Sequence, residues 1–310
     1  MDRLIAPGLW QLDTLLGGCE EVNSVFLIEG ERPCLVETGP QKDAATVLAA
    51  LHDRGLGPEE LAYVILTHIH LDHGGAVGEV AHYFPDARII CHPKGLRHLA
   101  DPSHLVAAAG RVYGSRLDSL YGRMTAVDQD RLFPGEDREM VDLGGGRRLL
   151  LLDSPGHAKH HLGVLDESSG ALLVGDAVGV KIPGGGELRP ATPPDDFDLD
   201  LAINSLHKFR DVHPTQVVLT HFGPAGDPDE VISEAEDRLR EWCTVAERAY
   251  AEAPTLEHIE QALRDEVSQS LDADPERRQM AHVLNGTESN AAGLLRWMQS
   301  RDQVRASQIV

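Results

Sequence analysis

The chain of 310 residues has only four cysteines, Cys19, Cys34, Cys91 and Cys243, widely separated and without a CxxC pair. That excludes a thiolate zinc knuckle and a disulfide framework, and leaves the thiols as packing residues. Long apolar stretches are missing too: runs such as Leu149 to Leu152 and Val217 to Leu219 fall far short of a bilayer span. The opening MDRLIAPGLW lacks the charged-then-apolar organisation of a signal peptide, so a cytoplasmic protein with no membrane partner is expected. Basic residues are scarce, 28 Lys and Arg against 50 Asp and Glu, and the resulting charge of −22 repels phosphate backbones. A small molecule is therefore a better partner than nucleic acid. Repeats, Gly/Ser linkers and low-complexity tracts are also missing, and the acidic residues are dispersed over what reads as a solvated surface.

What remains is enough apolar sequence, 42%, for one large domain with an appendage. Short β-rich runs (LWQLDTLL, VNSVFLIEG, PCLVETG, LAYVILTH) are closed by turn residues, and QKDAATVLAALHDR places Ala45, Val47, Leu48 and Leu51 at helical spacing before Gly55. Downstream, RIICH, RRLLLLDSPGH, LGVLDE, ALLVGDAVGV and QVVLTHFGP are apolar strands whose far ends carry His, Asp, Gly or Pro. Rigid strands that present polar ends are a common way to display metal-binding and catalytic groups. Between His92 and Glu139 the pattern predicts a helical insertion over the site, without strands, and beyond Gly226 it predicts helices only.

The segment VILTHIHLDHGG concentrates three histidines and an aspartate between His68 and His73, directly after an apolar strand. Neutral imidazoles with a carboxylate are the donor set that zinc favours. Three further strand ends add His157 in SPGH, Asp176 in VGDA and His221 in LTHFGP, giving seven candidate ligands, enough for two metals. A carboxylate at the bridging position is chemically sensible, because it offsets the repulsion between two nearby cations.

HxHxDH followed in order by His157, Asp176 and His221 resembles the metallo-β-lactamase superfamily over roughly residues 1–224. The resemblance implies an α/β (α+β) fold, the four-layer αββα sandwich with its site along one sheet edge. Residues 1–224 would form the catalytic domain, with the helical insertion at about 92–139, and residues 225–310 a helical C-terminal extension. Carried onto this chain, it implies that His68, His70 and His157 hold one metal, that Asp72, His73 and His221 hold the second, and that Asp176 bridges them. Two zinc ions are expected, with iron or manganese as alternatives. A shared hydroxide would attack an acyl carbonyl, with Asp72 and Asp176 as the catalytic carboxylates.

SPGHAKHHLGVLDESSGALLVGDAVGV resembles the TPGH…GD region of glyoxalase II and related thioester or lactone hydrolases more than β-lactamases, which usually place Cys or Ser at the position of Asp72. The expected substrate is thus a small carboxylic ester, thioester or lactone, with a homodimer as the candidate assembly. Acyl-homoserine lactonases commonly carry a tyrosine three residues after the bridging aspartate, where this chain has Gly179. Tyr113 or Tyr121 of the insertion could replace it, and with His161 these are the candidate substrate contacts. His160 and His161 could instead back His157, and Glu37 and Asp142 could be outer-sphere or structural. The runner-up is a persulfide dioxygenase with one iron at the His70, His157 and Asp176 positions. A β-lactamase, a phosphodiesterase or nuclease, and a noncatalytic binding protein rank lower, the last because no ligand is missing.

Overall fold

In the strand Ser24–Ile28 every residue is buried, yet neighbours face different layers: Val25 and Leu27 join one hydrophobic cluster, Phe26 and Ile28 another. The same alternation divides Cys34 and Val36 from Leu35, Tyr63 and Ile65 from Val64, and Ala171 and Leu173 from Leu172. Because side chains alternate across a strand, a strand buried on both faces must sit in an inner layer. The computed structural model, which describes residues 2–184, 187–268 and 275–308, contains two such sheets.

The first sheet runs in chain order through β1 (Arg3–Ala6), β2 (Leu9–Asp13), β3 (Ser24–Ile28), β4 (Cys34–Val36), β5 (Tyr63–Ile65), β6 (Arg88–Cys91) and β7 (Leu132–Pro134). It is antiparallel up to β4 and parallel from β4 to β7. The second sheet comprises β8 (Met140–Asp142), β9 (Arg148–Asp153), β10 (Leu162–Asp166), β11 (Ala171–Leu173), β12 (Gln216–Leu219) and β13 (Gly223–Pro224), in spatial order β13-β12-β11-β10-β9-β8. Only β11 and β12 are parallel there.

Three hydrophobic clusters mark the three interfaces of an αββα sandwich. One lies between the sheets, and one joins the outer face of the first sheet to helices Ala44–Asp53, Val77–Tyr83 and Pro93–Ala100. The third joins Leu152, Leu172 and Val217 of the second sheet to helices Leu199–Asp211 and Pro228–Glu252 and onward to Leu263, Leu294 and Trp297. The C-terminal helices therefore share a core with the second sheet. Each fully buried Leu, Val or Phe in these interfaces contributes about 1.5–3 kcal/mol. Both of the longer outer helices start at a side-chain cap: Asp198 accepts from Leu201 N–H, and Asp227, ahead of Pro228, accepts from Asp229 and Glu230 N–H.

The expected strand-free insertion needs correction. Pro93–Ala100, Ser103–Tyr113 and Leu117–Leu120 are helical, but Leu132–Pro134 within the same stretch is β7, the sheet's edge strand. Three residues are too few to show a period, and Pro134 is tolerated because an edge strand need not donate on its outer side. Among the described residues no helix is long and apolar enough to cross a membrane.

Candidate metal centre

Five strands deliver the site from their C-terminal ends: β4 leads to Glu37, β5 to Thr67 and the 68–73 turn, β9 to His157, β11 to Asp176 and β12 to His221. The turn is anchored by its own backbone, since the His73 carbonyl accepts from Thr38 and Gly39 N–H, at 2.7 and 3.0 Å. His157 enters through Gly156, whose φ of 135° and contact with the Ala202 backbone leave no room for a side chain.

Four of the five site histidines have one nitrogen fixed by an outer partner. His157 Nδ1 lies 2.9 Å from the Ala191 carbonyl and His221 Nδ1 2.8 Å from the Val22 carbonyl. A carbonyl only accepts, so both Nδ1 atoms carry the proton. His73 Nδ1 donates to Glu37 Oε1 at 2.9 Å. His68 Nδ1 is 3.0 Å from Thr67 Oγ1, whose hydrogen goes to the Glu37 carboxylate. The Nε2 atoms of all four rings are thereby left without an outer partner, facing inward.

Those nitrogens converge with too few donors to meet them. His70 Nδ1 lies 3.0 Å from His68 Nε2 and 3.1 Å from His157 Nε2, and a proton on it would serve only one of them. Asp72 Oδ2 is 3.6 Å from His73 Nε2 and 3.5 Å from His221 Nε2. Asp176 presents Oδ1 to those same two nitrogens at 3.4 and 3.5 Å, and Oδ2 to His157 Nε2 at 3.7 Å. The carboxylate–imidazole separations are long for hydrogen bonds. They suit donors sharing a tetrahedral cation, which lie roughly 3.3–3.4 Å apart when each is about 2.1 Å from the ion. His73 Nε2 and Asp176 Oδ1 are buried with no hydrogen-bond partner, and His68, His70 and His157 form one tight donor group while Asp72, His73 and His221 form another. The residues fit a metal.

The electrostatics agree. Burial pushes the His70 and His157 imidazoles down to about 4, so both are neutral and available as ligands. Burial alone would also depress His73, but Asp176, Asp72 and Glu37 outweigh it and hold that ring well above its ordinary value. Burial would raise Asp72, yet His73 and His221 pull it to about 2, and the same two rings keep Asp176 well below the usual carboxylate range. A pocket of ionised carboxylates, in which one histidine takes up the compensating positive charge, is built to receive a cation.

The structure thus brings all seven expected ligands together. It also shows what Glu37 does: fully buried, it ties His73, Thr67 and through Thr67 His68 into one network. The signal was present, since Glu37 ends the run PCLVETG as His157, Asp176 and His221 end theirs. Asp142, by contrast, sits on the surface in an ion pair with Arg32. His161 as a substrate contact is corrected. Its ring is fully buried, Nε2 accepts from Asp176 N–H and Nδ1 meets Ser154 Oγ, so it holds Asp176 from behind and has no free nitrogen. His160 Nε2 lies 3.7 Å from Asp196.

Tyr113 and Tyr121 do line the cavity in front of the site, with ring centroids 4.8 Å apart and the Tyr121 side chain buried. This cavity is about 410 Å³. His70, Asp72, His157, Asp176 and His221 close one end, while Leu105 and Val112 from the insertion and Leu284 and Leu295 from the C-terminal helices supply apolar wall.

The family model of the Metallo-beta-lactamase superfamily matches residues 17–221. The chain is 31% identical over 168 residues to the Metallo-beta-lactamase fold-containing protein ST1585 of Sulfurisphaera tokodaii, covering 53% of this chain and 62% of that one. It is 26% identical over 179 residues to the N-acyl homoserine lactonase AiiB of Agrobacterium fabrum, covering 55% and 60%. The chain therefore matches less than two thirds of the length of either relative. The crystal structure of ST1585 from Sulfolobus tokodaii superposes with a TM-score of 0.69 at 24% identity, over 93% of this chain and 98% of that one, a likeness of fold.

Proposed function

On the premise that this chain belongs to the Metallo-beta-lactamase superfamily and is a metal-dependent hydrolase of it, we propose that it is a dinuclear zinc enzyme acting on a carboxylic ester, thioester or lactone with an apolar acyl arm. The observation that carries the dinuclear reading is Asp176, whose two oxygens face separate nitrogen groups, His157 on one side and His73 with His221 on the other. His68, His70 and His157 are the first ligand set, Asp72, His73 and His221 the second, and Asp176 the bridge. When bound, the ions supply Lewis acidity and water acidified from about 15.7 towards roughly 7.

The remaining chemistry belongs to the chain. Asp72, on the cavity lining, orients the nucleophile, while Glu37 and the Ala191 and Val22 carbonyls hold the rings in the tautomer that leaves Nε2 free. The Tyr113 and Tyr121 rings pack against each other in the cavity wall. At about 30 Å³ per water-sized group, the cavity has room for on the order of a dozen heavy atoms. Its leucine and valine walls support an apolar acyl arm, with Arg111, Asp195 and Arg296 also on the lining. Asp72 and the cited lactonase relative support the glyoxalase II and lactonase branch.

The test is a panel of acyl-thioester, lactone, aryl ester, β-lactam and phosphodiester substrates with elemental analysis of the purified protein. The expected result is acyl turnover with about two metals per chain. Turnover of the phosphodiester alone defeats the acyl assignment, and a single iron with oxygen uptake on persulfide replaces hydrolysis by the dioxygenase reaction.

A further inference from the structure

We propose that Asn290, seconded by Asn285, is a positioning residue for the metal centre: from the C-terminal helices it clamps the loop whose Ala191 carbonyl aims the His157 imidazole. The inference rests on His157 being a ligand, as proposed above.

The Ala191 carbonyl decides two things about that ring, its rotation and its tautomer, because it accepts the Nδ1 hydrogen at 2.9 Å and so leaves Nε2 bare. Ala191 belongs to no helix or strand. Its position must therefore come from its neighbours, and both are held from the C-terminal region, by Asn285 in the turn before helix Thr287–Gln308 and by Asn290 within that helix. The Pro190 carbonyl accepts from Asn285 Nδ2 at 2.8 Å. Thr192 donates its N–H and its hydroxyl to Asn290 Oδ1, at 2.6 and 2.8 Å, with the hydroxyl also 3.2 Å from the Asn290 carbonyl.

The asparagines are themselves locked. Asn290 Nδ2 donates to Asn285 Oδ1 at 2.5 Å and to the Gly286 carbonyl at 3.0 Å, and Thr192, Asn285 and Asn290 are all buried. Gly293, one turn further along helix Thr287–Gln308, faces the Thr192 and Pro193 carbonyls so closely that a methyl group there would overlap them. A fully satisfied buried polar network fixes one register where an apolar contact would tolerate sliding. The peptide between Pro190 and Thr192 is thus set by the helical bundle, and the ring of His157 by that peptide.

Removing an outer partner of a metal-ligating histidine typically lowers metal affinity about 10–100-fold. Asn290→Ala leaves the Thr192 N–H unpaired and its hydroxyl with only the longer bond to the backbone carbonyl of residue 290, and so loosens the loop. We expect zinc affinity, measured by chelator competition, to fall about tenfold, and the absorption bands of the cobalt-substituted protein to shift as the geometry at His157 relaxes. Asn285→Ala removes the donor to the Pro190 carbonyl and the acceptor of Asn290 Nδ2 but leaves both Thr192 bonds to Asn290 in place, should show a smaller loss in the same direction, and carries the test if the first variant does not fold. Leu263→Ala, which opens the bundle core away from the loop, should lower the melting temperature and leave zinc affinity unchanged. A folded Asn290→Ala or Asn285→Ala variant with the wild-type competition curve overturns the clamp, as does an equal affinity loss in Leu263→Ala. A wild-type protein that binds no zinc overturns the metal reading beneath it, a result distinguishable from failure of the clamp alone.

Discussion

Asp176 is pulled in opposite directions: its carboxylate is almost wholly buried, which disfavours charge, yet His73 and His221 keep it ionised. Holding two dications would resolve the conflict. Asp176→Ala removes the bridge and should leave one metal labile, whereas Asp176→Asn keeps one oxygen and the shape but loses the charge. Turnover should fall at least on the order of a hundredfold in the Ala variant and less in Asn, with folding preserved because the residue follows the end of β11. Elemental analysis and steady-state kinetics, with circular dichroism as the control, check this; two retained metals and near-native turnover in Asp176→Ala would remove the bridging role. At this scale the sequence was most legible where chemistry was concentrated, since His68, His70, Asp72 and His73 lie within one turn. Glu37 is one of 50 acidic residues and meets His73 only through the pairing of β4 with β5. Asn290 carries no charge and no motif, so nothing in its own neighbourhood announces a role.

The elements divide along similar lines. Strands of five or six residues such as Ser24–Ile28 and Arg148–Asp153 announce themselves by apolar content and by the polar groups at their ends. Arg3–Ala6, Leu132–Pro134 and Met140–Asp142 are edge or near-edge strands of three or four residues, stabilised by a neighbour that the local sequence does not reveal. Helix Ser103–Tyr113 has no buried residue, which is unusual for a packed helix, and one of its faces borders the cavity at Leu105, Ala108, Ala109 and Val112. Its small residues leave room for a ligand. Ala108→Phe should therefore raise KM for longer acyl chains by about tenfold, the equivalent of roughly 1.4 kcal/mol of lost packing, while short-chain substrates and metal content stay unchanged. Rate measurements on a chain-length series give the answer directly. A uniform change across the series would mean that the acyl arm lies elsewhere.

Across the whole molecule, amphipathic patterns after Gly226 announce helices with a buried face but not what covers it, and the answer here is shared: the second sheet through Leu172 and Val217, and the loop at Ala191 through Asn285 and Asn290. The two sheets are likewise joined across the site, because His68, His70, Asp72 and His73 follow β5 of the first while His157, Asp176 and His221 follow β9, β11 and β12 of the second. Ligands drawn from both sheets would make the proposed metals a staple for the sandwich as well as a reagent. Binding to the folded state alone stabilises by about 4 kcal/mol when free metal is a thousandfold above its dissociation constant. For domains somewhat smaller than this chain each kcal/mol is worth about 2–4 °C, so stripping the metals with a chelator should lower the melting temperature by roughly 5–15 °C, and returning zinc should restore it. Because the donors are buried, the drop should persist at high salt, where surface ion pairs such as Arg32–Asp142 are screened. A thermal melt that does not move on complete, verified metal removal would show that the sheets hold together without the centre, and would confine the metals to catalysis.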